Sequence, residues 1–145
     1  MAFDYRLENH APLGYSTPSF PSLYWPYKAE PGEANYLYHT SDIWRHTLLW
    51  TLIIFAVFHA VVAAFAVAMQ LGKGEKAWKY VWIIPLFYAL TAGVEALMAG
   101  SIVGLILGAV YSAGYFRMST WIPFVWALIN ISILVLSSFS IQGGL

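Results

Sequence analysis

"LTAGVEALMAG", residues 90–100, places one carboxylate, Glu95, in a run that is otherwise free of charge from residue 80 to residue 116. Two more uncharged runs flank it, 47–71 and 118–145. Each is longer than the roughly 20 apolar residues that cross a bilayer as a helix. The chain of 145 residues is 60% hydrophobic and 10% charged, whereas a soluble domain carries about a quarter charged residues. These features define an all-α integral membrane protein. Glu95 is then an ionisable group inside lipid, and it needs a reason to be there.

The same run supplies a pattern. Ala92, Ala96, Gly100, Gly104, Gly108 and Ser112 recur at every fourth position. Residues four apart share a helix face, and small side chains there let two helix backbones approach closely in lipid. The stripe is read as a helix-packing face, turned to another helix of this chain or to another protein. Two further polar residues fall at membrane depth, His59 and Asn130. His59 lies 12 residues before Leu71 and Glu95 lies 16 after Lys79, roughly 18 and 24 Å along their helices. Intramembrane ionisable groups face protein and pair, so a His59–Glu95 hydrogen bond is one solution. Separate partners, a protonated Glu95 or a turn wetted by water are the others. Asn130, with Ser132, Ser137 and Ser138, reads as an interhelix hydrogen-bonder, and its N-x-S sequon lies inside a span.

Outward from these runs, the chain divides into an N-terminal segment, 1–40, and a transmembrane helical region, 41–145, with helices at about 42–71, 80–116 and 120–140. The N-terminal segment holds most of the prolines, which break helix and sheet ladders, yet it is rich in aromatic rings. Tyr24, Trp25 and Tyr27 are expected to dock on a partner protein or on the membrane surface. Thr40, Ser41 or Asp42 would cap helix one, and Gly72 and Gly74 would end it. Ser119 or Thr120 would cap helix three, with Pro123 in its first turn. The middle run of about 37 residues is roughly 55 Å long as one helix, against a hydrocarbon core of about 30 Å. Either one long tilted helix forms, giving three spans, or Pro85 and Gly93 divide the run, giving four. Three is preferred, although the position of Arg117 favours four. Lys73, Lys76 and Lys79 outnumber Glu75 in the 72–79 loop, which by the positive-inside rule is cytosolic and leaves the N-terminus lumenal. The start of the chain lacks the basic, then apolar pattern of a cleavable signal, so helix one is expected to direct its own insertion.

Composition narrows the function. Cysteine is absent, which removes disulfides, thiol catalysis and thiolate metal sites. Net charge is zero without a basic run, so nucleic acid is not an expected partner. One histidine at membrane depth cannot supply both axial ligands of a b-type haem. No nucleophile–base pair, second carboxylate or phosphate loop is visible. No catalytic, cofactor-binding or metal-binding residue is expected.

The segment "SDIWRHTLLWTLIIFAVFH", with Trp44, Trp50 and His59, resembles the transmembrane protein 170 family. "AGSIVGLILGAVYSAG" is similar to that family's second helix, and Pro123 and Phe124 of "WIPF" to the start of its third. Glu95 has no counterpart in the pattern, the connection from Tyr111 to Pro123 is longer, and the N-terminal segment lies outside the match. The resemblance implies three spans, a lumenal N-terminus and a role in the shape of the endoplasmic reticulum and nuclear envelope. The expected function is therefore non-enzymatic. The protein would organise membrane shape by helix packing, serve as a small subunit of a larger membrane protein or lipid-handling complex, or do both, with lipids and that larger membrane protein as partners. An accessory subunit of a respiratory complex and a small solute or proton carrier are the alternatives.

Overall fold

The computed structural model describes residues 11–25, 35–70 and 79–143, with side chains to Phe139. Its elements are β1 (Tyr36–Leu37), α1 (Thr40–Ala68), α2 (Ile83–Ala113), β2 (Met118–Ser119) and α3 (Trp121–Gly143). Three helices are long and apolar enough to cross a membrane. The middle run is thus one helix, not two. Pro85 falls in the first turn of α2, where an amide N–H has no intrahelical partner to lose. Gly93 sits within the helix without breaking it. With three spans, Arg117 lies on the same side as the N-terminal segment, stacked at 4.4 Å over the Tyr36 ring. The preference that Arg117 gave for four spans is overturned by the continuity of α2.

The helix ends differ from expectation. The residue flanking α1 is His39, with no side-chain cap. Asp42 and Ile43 donate their N–H groups to the His39 carbonyl instead. The Thr40 hydroxyl is used elsewhere, and Asp42 accepts from Thr17 at 2.8 Å. Ser119 comes nearer the expected role at α3, its Oγ accepting from Trp121 N–H at 3.4 Å. At the end of α2, Tyr115 takes a left-handed conformation (φ 56). Its N–H reaches Ser112 O while Phe116 N–H reaches Tyr111 O, the paired bonds of a Schellman stop. Glycine usually holds that left-handed position. Here Gly114 stands one residue earlier, where an added Cβ would lie 2.5 Å from the Phe116 ring.

After that stop the chain runs into β2, which pairs antiparallel with β1 in the register Tyr36↔Ser119 and Leu37↔Met118. Leu37, Ile43, Leu107 and Met118 form a buried cluster beneath the pairing. A second cluster, Ile54, Phe55, Ala96, Ala127 and Ile131, lies deeper among the three helices. Helix α1 is central, packed on α2 along one side and α3 along another, while α2 and α3 touch little. Gly72, Gly74, Tyr27 and the charges of the 72–79 loop other than Lys79 lie outside the described residues.

Candidate functional site: a helix seam with an intramembrane ionisable pair

The small-residue stripe packs on α1. An added Cβ at Gly100 would meet Leu48 Cα and Thr51 Cβ, both at 3.1 Å. At Gly104 it would meet Trp44 Cα at 3.1 Å, and at Gly108 the Thr40 Cγ2 at 2.5 Å. Each four-residue step down α2 matches a four-residue step up α1, so the helices run antiparallel with their backbones in contact. Ala92, Ala96, Gly100, Gly104 and Gly108 are buried. Ser112 ends the row, its Oγ 2.7 Å from that of Thr40. The Thr40 hydroxyl also reaches the Gly108 carbonyl at 3.3 Å.

The complementary side of this seam, Thr47 and Thr51, was not singled out by the sequence reading. Their hydroxyls donate to Ile43 O and Thr47 O in the preceding turn. A threonine so satisfied turns only carbon toward the glycines. The recoverable signal is the threonine spacing, 40, 47 and 51, which faces a four-residue glycine period once the two helices are set antiparallel.

Where the glycines stop, His59 and Glu95 meet. His59 Nε2 lies 3.3 Å from Glu95 Oε2, with the side chains 14% and 35% exposed. His59 Nδ1 is 2.9 Å from the Phe55 carbonyl. A carbonyl only accepts, so Nδ1 carries a hydrogen. In a neutral ring Nε2 is then an acceptor. At 3.3 Å the contact is long, and no shorter partner reaches Oε2 among the described residues. Of the alternatives for Glu95, the structure contains the pairing.

Beyond the pair the two helices separate. A crevice of about 580 Å³ opens between them, lined by Ala56, His59, Ala60, Ala63 and Ala64 of α1 and by Pro85, Tyr88 and Ala89 of α2. Gly93, on its edge, would present an added Cβ to open space.

At the opposite end, residues 11–25 form a strap across the helix ends. Tyr15 donates to the Tyr36 carbonyl at 2.8 Å. Its ring packs edge-on against Tyr38. Burial, then the negative charge of Asp42, raises the Tyr15 hydroxyl above its ordinary pKa of 10.0. Thr120 donates to Ser22 O and Trp121 Nε1 to Tyr24 O, each at 2.8 Å. The Tyr24 hydroxyl lies 3.2 Å from Ser119 Oγ. Tyr24 therefore docks on the start of α3 of its own chain. The reason is local: the β2–α3 connection offers a hydroxyl and an indole N–H where the strap passes. Trp25 is 66% exposed.

Phe20 carries the strap deepest, its ring 5.7 Å from His46 and 5.1 Å from Trp50. Trp50 in turn packs edge-on against Phe124 at 4.8 Å. Pro123 beside it is fully buried. Trp50 and Phe124 thus belong to the joint of α1 with α3, Trp44 to the joint of α1 with α2, and His59 to the ionisable pair. Asn130 is buried on α3 and does not join that pair.

Three apolar helices, a glycine seam and an intramembrane pair define a multi-pass α-helical membrane protein. A family model described as transmembrane protein 170A/B-like matches residues 36–145, and the chain belongs to that family. It is also similar to a protein of Saccharomyces cerevisiae, "Uncharacterized protein YPR153W", at 38% identity over 135 residues, 93% of each chain. That match is longer than the family-model span, which already reaches the C-terminus, so the extra length lies in the N-terminal segment. No solved structure matches.

Proposed function

We propose that this protein is a non-enzymatic organiser of the endoplasmic reticulum membrane, acting by helix packing and serving as a small subunit beside a larger membrane protein. One observation carries the reading: among the described residues, the strap packs down the helices at one end of the bundle. Trp50, which Phe20 touches, lies ten residues into α1 from Thr40, roughly 15 Å along the axis. In this reading Phe20 lies in the leaflet at that end, where the strap adds cross-section to the helices. A body wider in one leaflet is a wedge, and it is cheapest where that leaflet is expanded. Family membership and the charge of the 72–79 loop support a reticulum location with the strap leaflet lumenal.

Two measurements test this reading. Since the chain has no cysteine, Leu13→Cys reports sidedness alone. Labelling by an impermeant maleimide only after permeabilisation is expected, and labelling of intact microsomes would place the strap in the cytosol. For shape, the full chain is reconstituted into vesicles of mixed diameter and its density is read against curvature. Wild type should enrich on curvature that expands the strap leaflet, and Phe20→Ala should enrich less. Equal density at every diameter would sink the wedge.

A further inference from the structure

Two polar side chains share a cavity that the seam does not use. It measures about 350 Å³, lies between α2 and α3, and is walled by Phe55, Met98 and Ile133, with Glu95 and Asn130 in its lining. Asn130 is 8% exposed. Its Nδ2 is enclosed by protein, which leaves Oδ1 as the amide atom able to face the cavity. Glu95 Oε2 is enclosed in the same way and lies 3.3 Å from His59 Nε2. Oε1 is then the carboxyl atom on the cavity side. Both of these oxygens are acceptors, and neither receives a hydrogen bond among the described residues.

Charge and size describe the occupant. Two open acceptors in one apolar cavity call for donors, and a carboxyl group inside a membrane calls for a cation. The chain has none to give, since residues 47–71, 80–116 and 118–145 hold no lysine or arginine. Phospholipid cations come tied to a phosphate, an anion that Glu95 repels. A basic side chain on a helix brings the cation alone. At about 350 Å³ the cavity is smaller than one turn of a helix about 10–12 Å across with a 5.4 Å pitch, so it takes a side chain and not a helix. Met98 and Ile133, 62% and 59% exposed, offer an apolar seat to the helix that carries it.

We infer that the α2–α3 cavity receives a lysine or arginine side chain from a transmembrane helix of a partner protein, the helix itself lying against Met98 and Ile133. The cation pairs with Glu95 and donates a further N–H to Asn130 Oδ1, which the three donors of lysine or the five of arginine allow. This inference rests on the small-subunit part of the proposed function and not on the wedge. The sidedness and curvature measurements do not involve this cavity, so the two readings fail separately.

The test uses the full chain in phosphatidylcholine vesicles, with a donor dye on Leu13→Cys and acceptor-labelled probe helices. The probes are Leu/Ala peptides of about 20 residues that differ only at the central position, which is Lys, Ser or Leu. Read by energy transfer, the Lys peptide should associate about tenfold more tightly than the Leu peptide, the effect of a polar contact between helices in lipid. Glu95→Gln, which keeps the shape and removes the charge, should erase most of that preference. Ile133→Trp, which fills the cavity and leaves Glu95 in place, should weaken the Lys peptide as far. Equal association of the Lys and Leu peptides overturns the assignment, as does a Lys preference that survives both variants. A Ser peptide that binds as tightly as the Lys peptide would open the cavity to any hydroxyl, a lipid alcohol included, and overturn the cation. If Glu95→Gln yields no folded protein, Ile133→Trp decides alone.

Discussion

The two halves of the α1–α2 contact are built from the same kinds of residue and reach opposite results. Between Thr40–Thr51 and Gly100–Ser112 the backbones touch, with no room for even one added carbon. Between Ala56–Ala64 and Pro85–Gly93 the small residues line a crevice of about 580 Å³. Small side chains permit close approach; they do not enforce it. Closure follows where threonines present satisfied, carbon-covered faces to glycine and where the strap and the β1–β2 pair clamp the helix ends. The crevice lies away from that clamp.

Forcing the closed half open has the largest expected effect. Gly104→Leu must displace the Trp44 backbone, which lies 3.1 Å from the added Cβ, and should cost about 3 kcal/mol or more. A lowered midpoint in detergent titration followed by helicity would show it, and an unchanged midpoint would mean the halves are not distinct. Next comes the boundary. Glu95→Leu leaves His59 Nε2 without its partner and should cost about 1–3 kcal/mol in the same titration, whereas Glu95→Gln, which keeps a hydrogen-bonding group, should stay near wild type. In the open half, Gly93→Ala meets nothing and should stabilise by up to about 1 kcal/mol through helix propensity. Matching losses from Gly93→Ala and Gly104→Ala would erase the comparison. The smallest effect concerns the clamp. The Tyr15 pKa is raised on folding, so its contribution is complete below 10.0 and is lost as pH climbs past that value through the raised one. Protease cleavage within residues 11–25 should be flat from neutral pH to 10.0 and accelerate above it. Faster cleavage already at neutral pH, relative to acid, would contradict that sign.

The spans and the packing stripe were legible because lipid leaves few alternatives: apolar length marks a helix and a four-residue period marks a face. The His59–Glu95 contact was legible as one option, since depth along each helix can be counted but rotation cannot. Thr47 and Thr51 escaped notice because their role appears only when the partner helix is placed. The docking of Tyr24 on Ser119 joins residues on two separate elements, and nothing local in either segment announces it. Proline density could exclude regular structure, but it could not say which surface the strap would cover. Asn130 was visible as polar, yet its lack of a partner depends on the divergence of α2 from α3.

The helices also differ in length, and length acts on the bilayer itself. Helices α1 and α2, of 29 and 31 residues, extend roughly 44 and 46 Å, while α3, of 23 residues, extends roughly 35 Å. A hydrocarbon core of about 30 Å comes nearer to α3 than to the antiparallel pair, which must tilt, protrude or draw the lipid up around it. The glycine seam couples α1 to α2, so the two meet this mismatch together. One flank of the protein therefore asks for thinner membrane than the other, and the molecule rests at least cost along a gradient of bilayer thickness.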